Sequence, residues 1–250
     1  MYLDFEDSRL HFECDGPENA PPVLLWHGAL CTLRMWDRVV EALADRYRLI
    51  RFDVRGVGES SPSADPARYS FEQYARDADA ILDHAGVDRV HLWSMAWGSR
   101  AALAYLSLHA ERVLSAALFD ASIGAADVEA QQRGARDALA LQEAAGIARV
   151  ERPDGWNRHA DPAAAQAALA AARRFDLPAA ADRIAALESR PPLLVATGDH
   201  DPNLASSRDL VARIPGARLE VLEQVGHGSV LQRPDLAVQT WLDWQQQLQQ

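Results

Sequence analysis

Apolar and polar positions along the chain fall into two alternating rhythms. Short, nearly continuous apolar runs occur at VLLW (23–26), YRLIRF (47–52), VHLW (90–93), LSAALF (114–119), PLLVAT (192–197) and ARLEVL (217–222), each closed by polar or turn residues. Runs of this kind predict strands covered on both faces, as in a parallel sheet. LHFEC (10–14) alternates instead, which predicts a half-buried antiparallel strand. Segments 36–45, 70–85, 99–109, 203–213 and 234–247 predict helices between these runs. In FEQYARDADAILDHAG the apolar residues Phe71, Tyr74, Ala75, Ala78, Ile81 and Leu82 recur at three- or four-residue spacing, and Gly86 suits the stop. Strand and helix in alternation predict a doubly wound α/β sheet.

Residues 124–189 break the rhythm. They hold no strand-like run, and 127–146, 162–175 and 177–189 all predict helix, the middle one being rich in alanine. The expected organisation is therefore a core of residues 1–123 and 190–250, with 124–189 inserted as a helical lid. Insertions beyond the C-terminal ends of strands tend to lie over ligands; plain shielding of the sheet is the alternative.

Composition narrows the class of partner. Among 250 residues, 25 are basic and 36 acidic, for a formal net charge of −11. Such a surface disfavours phosphate backbones and anionic lipid, so neither nucleic acid nor membrane is an expected partner. Only Cys14 and Cys31 are present, without metal-type spacing, which suits a reducing compartment. MYLDFEDSRLHFECDG carries acids where a signal peptide needs a basic and then an apolar run. A soluble, cytoplasmic protein is expected. No phosphate loop or metal cluster occurs, and Gly56-x-Gly58 lacks the third glycine of a dinucleotide fingerprint. No cofactor and no metal are expected, and the partner should be a small-molecule substrate or ligand.

Four patterns carry chemistry, each just beyond a strand: VLLWHGAL (23–30), DVRGVGES (53–60), WSMAWGS (93–99), and the pair TGDHDP (197–202) and VGHGS (225–229). Together, in this order, they make nearly the whole chain resemble the α/β-hydrolase family. The resemblance implies a mostly parallel eight-stranded sheet flanked by helices, with a helical lid. It also implies an oxyanion hole from the backbone N–H groups of Ala29 and Trp97, and a nucleophile elbow of pattern G-x-S-x-G. In that frame Ser94 stands at the first glycine, Gly98 at the second, and Ala96 at the nucleophile. Taking Ser94 as nucleophile would insert two residues before the helix pattern resumes. His227 is the implied base. Gly198-x-x-Asp201 marks Asp201 as the implied acid, and Asp120, closing LSAALFD, is the alternative.

The activity implied by the resemblance is hydrolysis of an ester, lactone or carbon–carbon bond in a small molecule. Ala96 leaves three readings open: a deliberate serine-to-alanine substitution, divergence to general-base chemistry by Asp201 and His227, or a non-catalytic binding protein on the same scaffold. Substrate-contact candidates are His27, Trp97 and Trp156, the last accompanied by His159. Each has a bland counterpart in core packing or surface exposure. Cys31 reads as a loop thiol.

Overall fold

The computed structural model describes residues 1–250. Eight strands, β1 (Tyr2–Phe5), β2 (Ser8–Asp15), β3 (Pro22–Trp26), β4 (Arg48–Phe52), β5 (Val90–Met95), β6 (Val113–Phe119), β7 (Leu193–Gly198) and β8 (Arg218–Leu222), form one sheet. Its order is β1-β2-β4-β3-β5-β6-β7-β8. β2 runs antiparallel to β1 and β4, and the remaining pairs are parallel. The mostly parallel eight-stranded α/β-hydrolase architecture implied by the resemblance is the one observed. β1 was not foreseen, because its four residues YLDF only partly bury Leu3 and Phe5 against the core and leave Tyr2 and Asp4 exposed, too short a pattern to stand out.

Nine α-helices complete the fold: α1 (Asp37–Leu43), α2 (Phe71–His84), α3 (Trp97–Leu108), α4 (Val128–Ala144), α5 (Pro162–Ala168), α6 (Leu177–Ala185), α7 (Leu204–Arg213), α8 (Ser229–Gln232) and α9 (Pro234–Leu248). The continuous apolar runs now have a cause, since successive strand residues enter different cores. In β3, Leu24 and Trp26 pack with α2, α3 and α6, while Val23 and Leu25 pack with α1 and α9. On the second face the Trp93 and Trp241 rings stack with centroids 5.1 Å apart. Full burial of an aliphatic side chain contributes about 1.5–3 kcal/mol, so two-sided strands concentrate stability in the middle of the sheet. Trp93→Ala, which would empty the space between Trp36, Phe119 and Trp241, should cost about 3–5 kcal/mol.

Local signals set the helix ends. Ser70 accepts a hydrogen bond from the Gln73 N–H (3.2 Å) and starts α2. Gly86, at φ 68°, ends it, with Val87 N–H returning to the Leu82 carbonyl.

The segment expected as a lid divides in two. α6 buries Leu177, Ala180, Ala181 and Ile184 in the larger core against α3, and so belongs to the layer flanking the sheet. α4 instead lies across the loops after β7 and β8. A Cβ on Gly134 of α4 would collide with the His200 carbonyl oxygen, and one on Gly226 would come within 2.5 Å of the Ala135 Cα. Backbone contact this close is possible only with glycine on both sides of the seam. The segment predicted as one helix at 162–175 is α5 followed by a tighter turn at Leu169–Arg173.

Candidate active site

The elbow lies between β5 and α3. Ala96 caps α3 with φ 56° and ψ −115°, a conformation that favours glycine. Non-glycine residues held in such regions store about 1–3 kcal/mol. Ala96 is 6% exposed. The helix can start this close to the sheet because residue 98 is glycine: a Cβ there would stand 2.6 Å from the Trp26 carbonyl oxygen and collide with that of His27. Ser94 is buried inside β5, where its hydroxyl shares a hydrogen bond with Ser99 (3.0 Å) and donates to the Ala117 carbonyl (3.4 Å). It makes no hydrogen bond to His227 and acts as a tie between β5, α3 and β6.

The loops after β7 and β8 carry the acid and the histidine. His227 Nδ1 and Asp201 Oδ2 are 3.0 Å apart, with the Asp201 carboxylate fully buried and the His227 side chain 23% exposed. Asp201 thus orients the ring, and Nε2 makes no hydrogen bond within the protein. Burial alone would disfavour the imidazolium. The Asp201 hydrogen bond and the charges of Asp201 and Asp120 outweigh it, so the His227 pKa is raised. The arginine Arg100 on α3 opposes this rise. It forms no ion pair, and burial lowers its own pKa.

Both acids weighed from the sequence converge here. Asp120 follows β6 with φ 53°. Its Oδ2 accepts from the N–H groups of Gly228 (3.0 Å) and Ser229 (2.7 Å) and from the Ser229 hydroxyl (3.0 Å). Acid and imidazole atoms of Asp120, Asp201 and His227 lie within 4.8 Å of one another. Of the two acids, only Asp201 bonds the imidazole directly. Gln232, which carried no sequence signal, clamps the histidine loop: its Oε1 accepts from Gly226 N–H (3.0 Å) and its Nε2 donates to the His227 carbonyl (2.9 Å). That role depends on the short turn of α8, invisible in a periodicity pattern.

The N–H groups of Ala29 and Trp97 have no acceptor within the protein. Trp97 N–H opens α3, where the helix dipole also favours negative charge. His27 is fully engaged: Nδ1 meets the Gly28 carbonyl (2.9 Å), and Nε2 accepts from Val54 N–H (3.1 Å). Burial lowers its pKa, so the ring is a neutral brace joining the ends of β3 and β4. The Trp97 ring is buried against His27, Phe71 and Tyr74, and its indole N–H is unpartnered. Trp156 sits at the flank of the inserted segment, under the Arg152 guanidinium (4.3 Å), with its carbonyl accepting from Thr32 N–H (2.7 Å). His159 accepts from Gly58 N–H (3.1 Å) and meets the Leu30 carbonyl (3.2 Å). Both residues fasten the insertion to the loops after β3 and β4. A polar cavity of about 470 Å³ lies along this seam, lined by His11, Arg34, Asp53 and His159 among others, and includes none of Ala96, Asp201 or His227. Cys31 is buried, its thiol pushed up to about 12 by burial, and is inert.

Strand, strained turn, helix and facing acid–histidine loops in this order define a hydrolase-type scaffold. The alpha/beta hydrolase fold family model matches residues 21–168, more than half of the chain, and the chain belongs to that family. The structure resembles the enol-lactonase from Burkholderia xenovorans LB400, with TM-score 0.80 and 26% identity over 98% of this chain and 100% of that one. In sequence it is similar to a proline iminopeptidase of Lactobacillus helveticus, 30% identical over 145 residues, 55% of this chain and 48% of that protein. A fluoroacetate dehalogenase of a Burkholderia species is 36% identical over 105 residues, 41% of this chain and 34% of that protein. The chain thus spans less than half the length of these two curated relatives. No helix is long and apolar enough to cross a membrane.

Proposed function

We propose that this protein hydrolyses an ester, lactone or carbon–carbon bond of a small molecule, with the Asp201–His227 pair as general base and no acyl-enzyme at Ala96. The observation that carries the reading is the 3.0 Å bond from Asp201 to His227 Nδ1, which leaves Nε2 free to take a proton. For an ester or lactone, Nε2 takes a proton from water while the oxygen attacks the carbonyl carbon. The N–H groups of Ala29 and Trp97 receive the negative charge on the carbonyl oxygen. Collapse breaks the bond to the leaving oxygen, which takes the proton back from the imidazolium. A general base supplies typically about 10²–10⁴-fold, which suits activated esters and lactones. Relatives named enol-lactonase and dehalogenase support small-molecule chemistry without selecting among bonds. Two free cysteines suit a cytoplasmic location.

Ala96 itself favours a second reading, a ligand-binding protein without turnover. A panel of lactones and p-nitrophenyl esters separates the two. Under the first reading the wild-type chain turns over at least one member, and His227→Ala abolishes turnover while leaving affinity nearly unchanged. Under the second, both proteins bind and neither converts anything.

A further inference from the structure

The site contains one carboxyl that the proposed base chemistry leaves unused. Asp120 is fully buried, yet its two oxygens live in opposite surroundings. Oδ2 accepts three hydrogen bonds from Gly228 and Ser229, the residues directly after the base. Oδ1 is equally buried and has no partner. The backbone is held as firmly: Asp120 N–H donates to the Ala196 carbonyl (2.8 Å), and Asn203 Nδ2 donates to the Asp120 carbonyl (3.0 Å). The carboxyl therefore cannot turn away from the imidazole.

We propose that Asp120 is a positioning residue that sets both the place and the basicity of His227. Its Oδ2 fixes the histidine loop, and its free Oδ1 shares the cluster's one mobile proton with the imidazole. This inference rests on the reading of His227 as the base.

Electrostatics give the sharing its reason. Two carboxylates and one imidazole in a dry space cannot all hold their preferred charge. With the proton on Asp120 Oδ1, the cluster contains neutral acid, Asp201 carboxylate and neutral imidazole. Moving that proton to His227 yields two carboxylates and an imidazolium of the same total charge, so the two forms are tautomers of one protonation state. Burial pushes Asp120 up to about 7, with the Asp201 charge adding to the rise, while His227 and the Ser229 hydrogen bonds oppose it. The charged groups facing this centre are Asp201 from the loop after β7, His227 from the loop after β8, and Arg100 from α3, whose field lowers the His227 value. When Asp120 is neutral, His227 is free to act as base. When Asp120 is ionised, its charge holds the imidazole protonated to higher pH.

The test is an NMR titration, which needs no turnover and so fails or succeeds independently of the hydrolytic reading. In ¹³C-carboxyl-labelled wild-type protein, one aspartate should titrate near neutrality. If every aspartate completes its titration below about pH 5, an ordinary carboxylate range, the proposal is overturned whatever any variant does. Asp120→Asn keeps an acceptor for Gly228 and Ser229 but removes the charge. The His227 ring midpoint should fall by about 0.5–1 pH unit, lowering the ratio of protonated to neutral imidazole about three- to ten-fold at any given pH. An unchanged midpoint would also overturn the proposal. Asp120→Ala should in addition broaden or displace the Gly228 and Ser229 amide signals, and Asp120→Asn should restore them. A purely structural role would give that rescue without moving the ring titration.

Discussion

Restoring an oxygen at the elbow is the most informative single change. Ala96→Ser adds one hydroxyl to a side chain whose backbone is already in elbow geometry, at φ 56° and ψ −115°. Nothing else need be built, because the imidazole is oriented by Asp201 and the Ala29 and Trp97 N–H groups are free of other acceptors. Loss of a serine nucleophile in a triad hydrolase lowers turnover by about 10⁶, and oxyanion and binding terms still give about 10³–10⁴ over water. If the wild-type chain already draws on base catalysis of about 10²–10⁴, the gain from the added hydroxyl should be at least about 10²-fold on an activated ester. Stopped-flow absorbance with p-nitrophenyl acetate would read it. The variant should release a burst approaching one p-nitrophenol per chain, then a slower steady phase, while the wild-type chain shows the steady phase alone. A well-folded variant with no burst would refute the claim that residue 96 stands where attack begins. Equal bursts in both proteins would refute the claim that the present chain has no nucleophile.

Three further outcomes follow from the same geometry. Ala96→Gly should raise stability by about 1 kcal/mol, the relief of a strained φ exceeding the extra flexibility of the unfolded chain; a lower melting temperature would contradict it. Gly98→Ala should destabilise by several kcal/mol or shift the start of α3, because its Cβ collides with the His27 carbonyl oxygen; chemical denaturation compared with wild type checks this. Asp120, raised from 3.8 to about 7, binds more protons folded than unfolded between those values, so its contribution to stability falls as pH rises through that window. The ceiling is on the order of 4 kcal/mol. His227, also raised, contributes stability that is complete below about 6.5 and lost as pH passes its folded value. Relative to wild type, Asp120→Asn should therefore gain stability from pH 5 to pH 8 in urea titrations, and a constant difference would contradict it.

Much of the architecture is legible in the sequence. The strands that bury both faces announced themselves as apolar runs, and Leu24 and Val23 entering opposite cores explains why the runs do not alternate. β1 escaped because an edge strand with little burial has no hydrophobic signature. Within the candidate site, the local backbone was legible where a motif fixes it, as at Gly98, and the pairing of His227 with Asp201 where two loop motifs meet. Three features were not. The bracing of His27 by Gly28 and Val54, the clamp by Gln232, and the seam joining Gly134 to His200 and Gly226 to Ala135 all depend on segments far apart in sequence. Asp120 and Asp201 competed for one role on paper, whereas in space both occupy the site.

The central claim, that His227 activates water over a crest with no nucleophile, is tested most directly by the intact mass of the wild-type protein quenched during turnover of p-nitrophenyl acetate. The chain contains no lysine, so side-chain amines cannot confuse the reading. Base chemistry leaves the mass unchanged while product accumulates, and His227→Ala stops the accumulation. An acetyl adduct forming and decaying at the turnover rate, above all one mapped to Ser94, would contradict it.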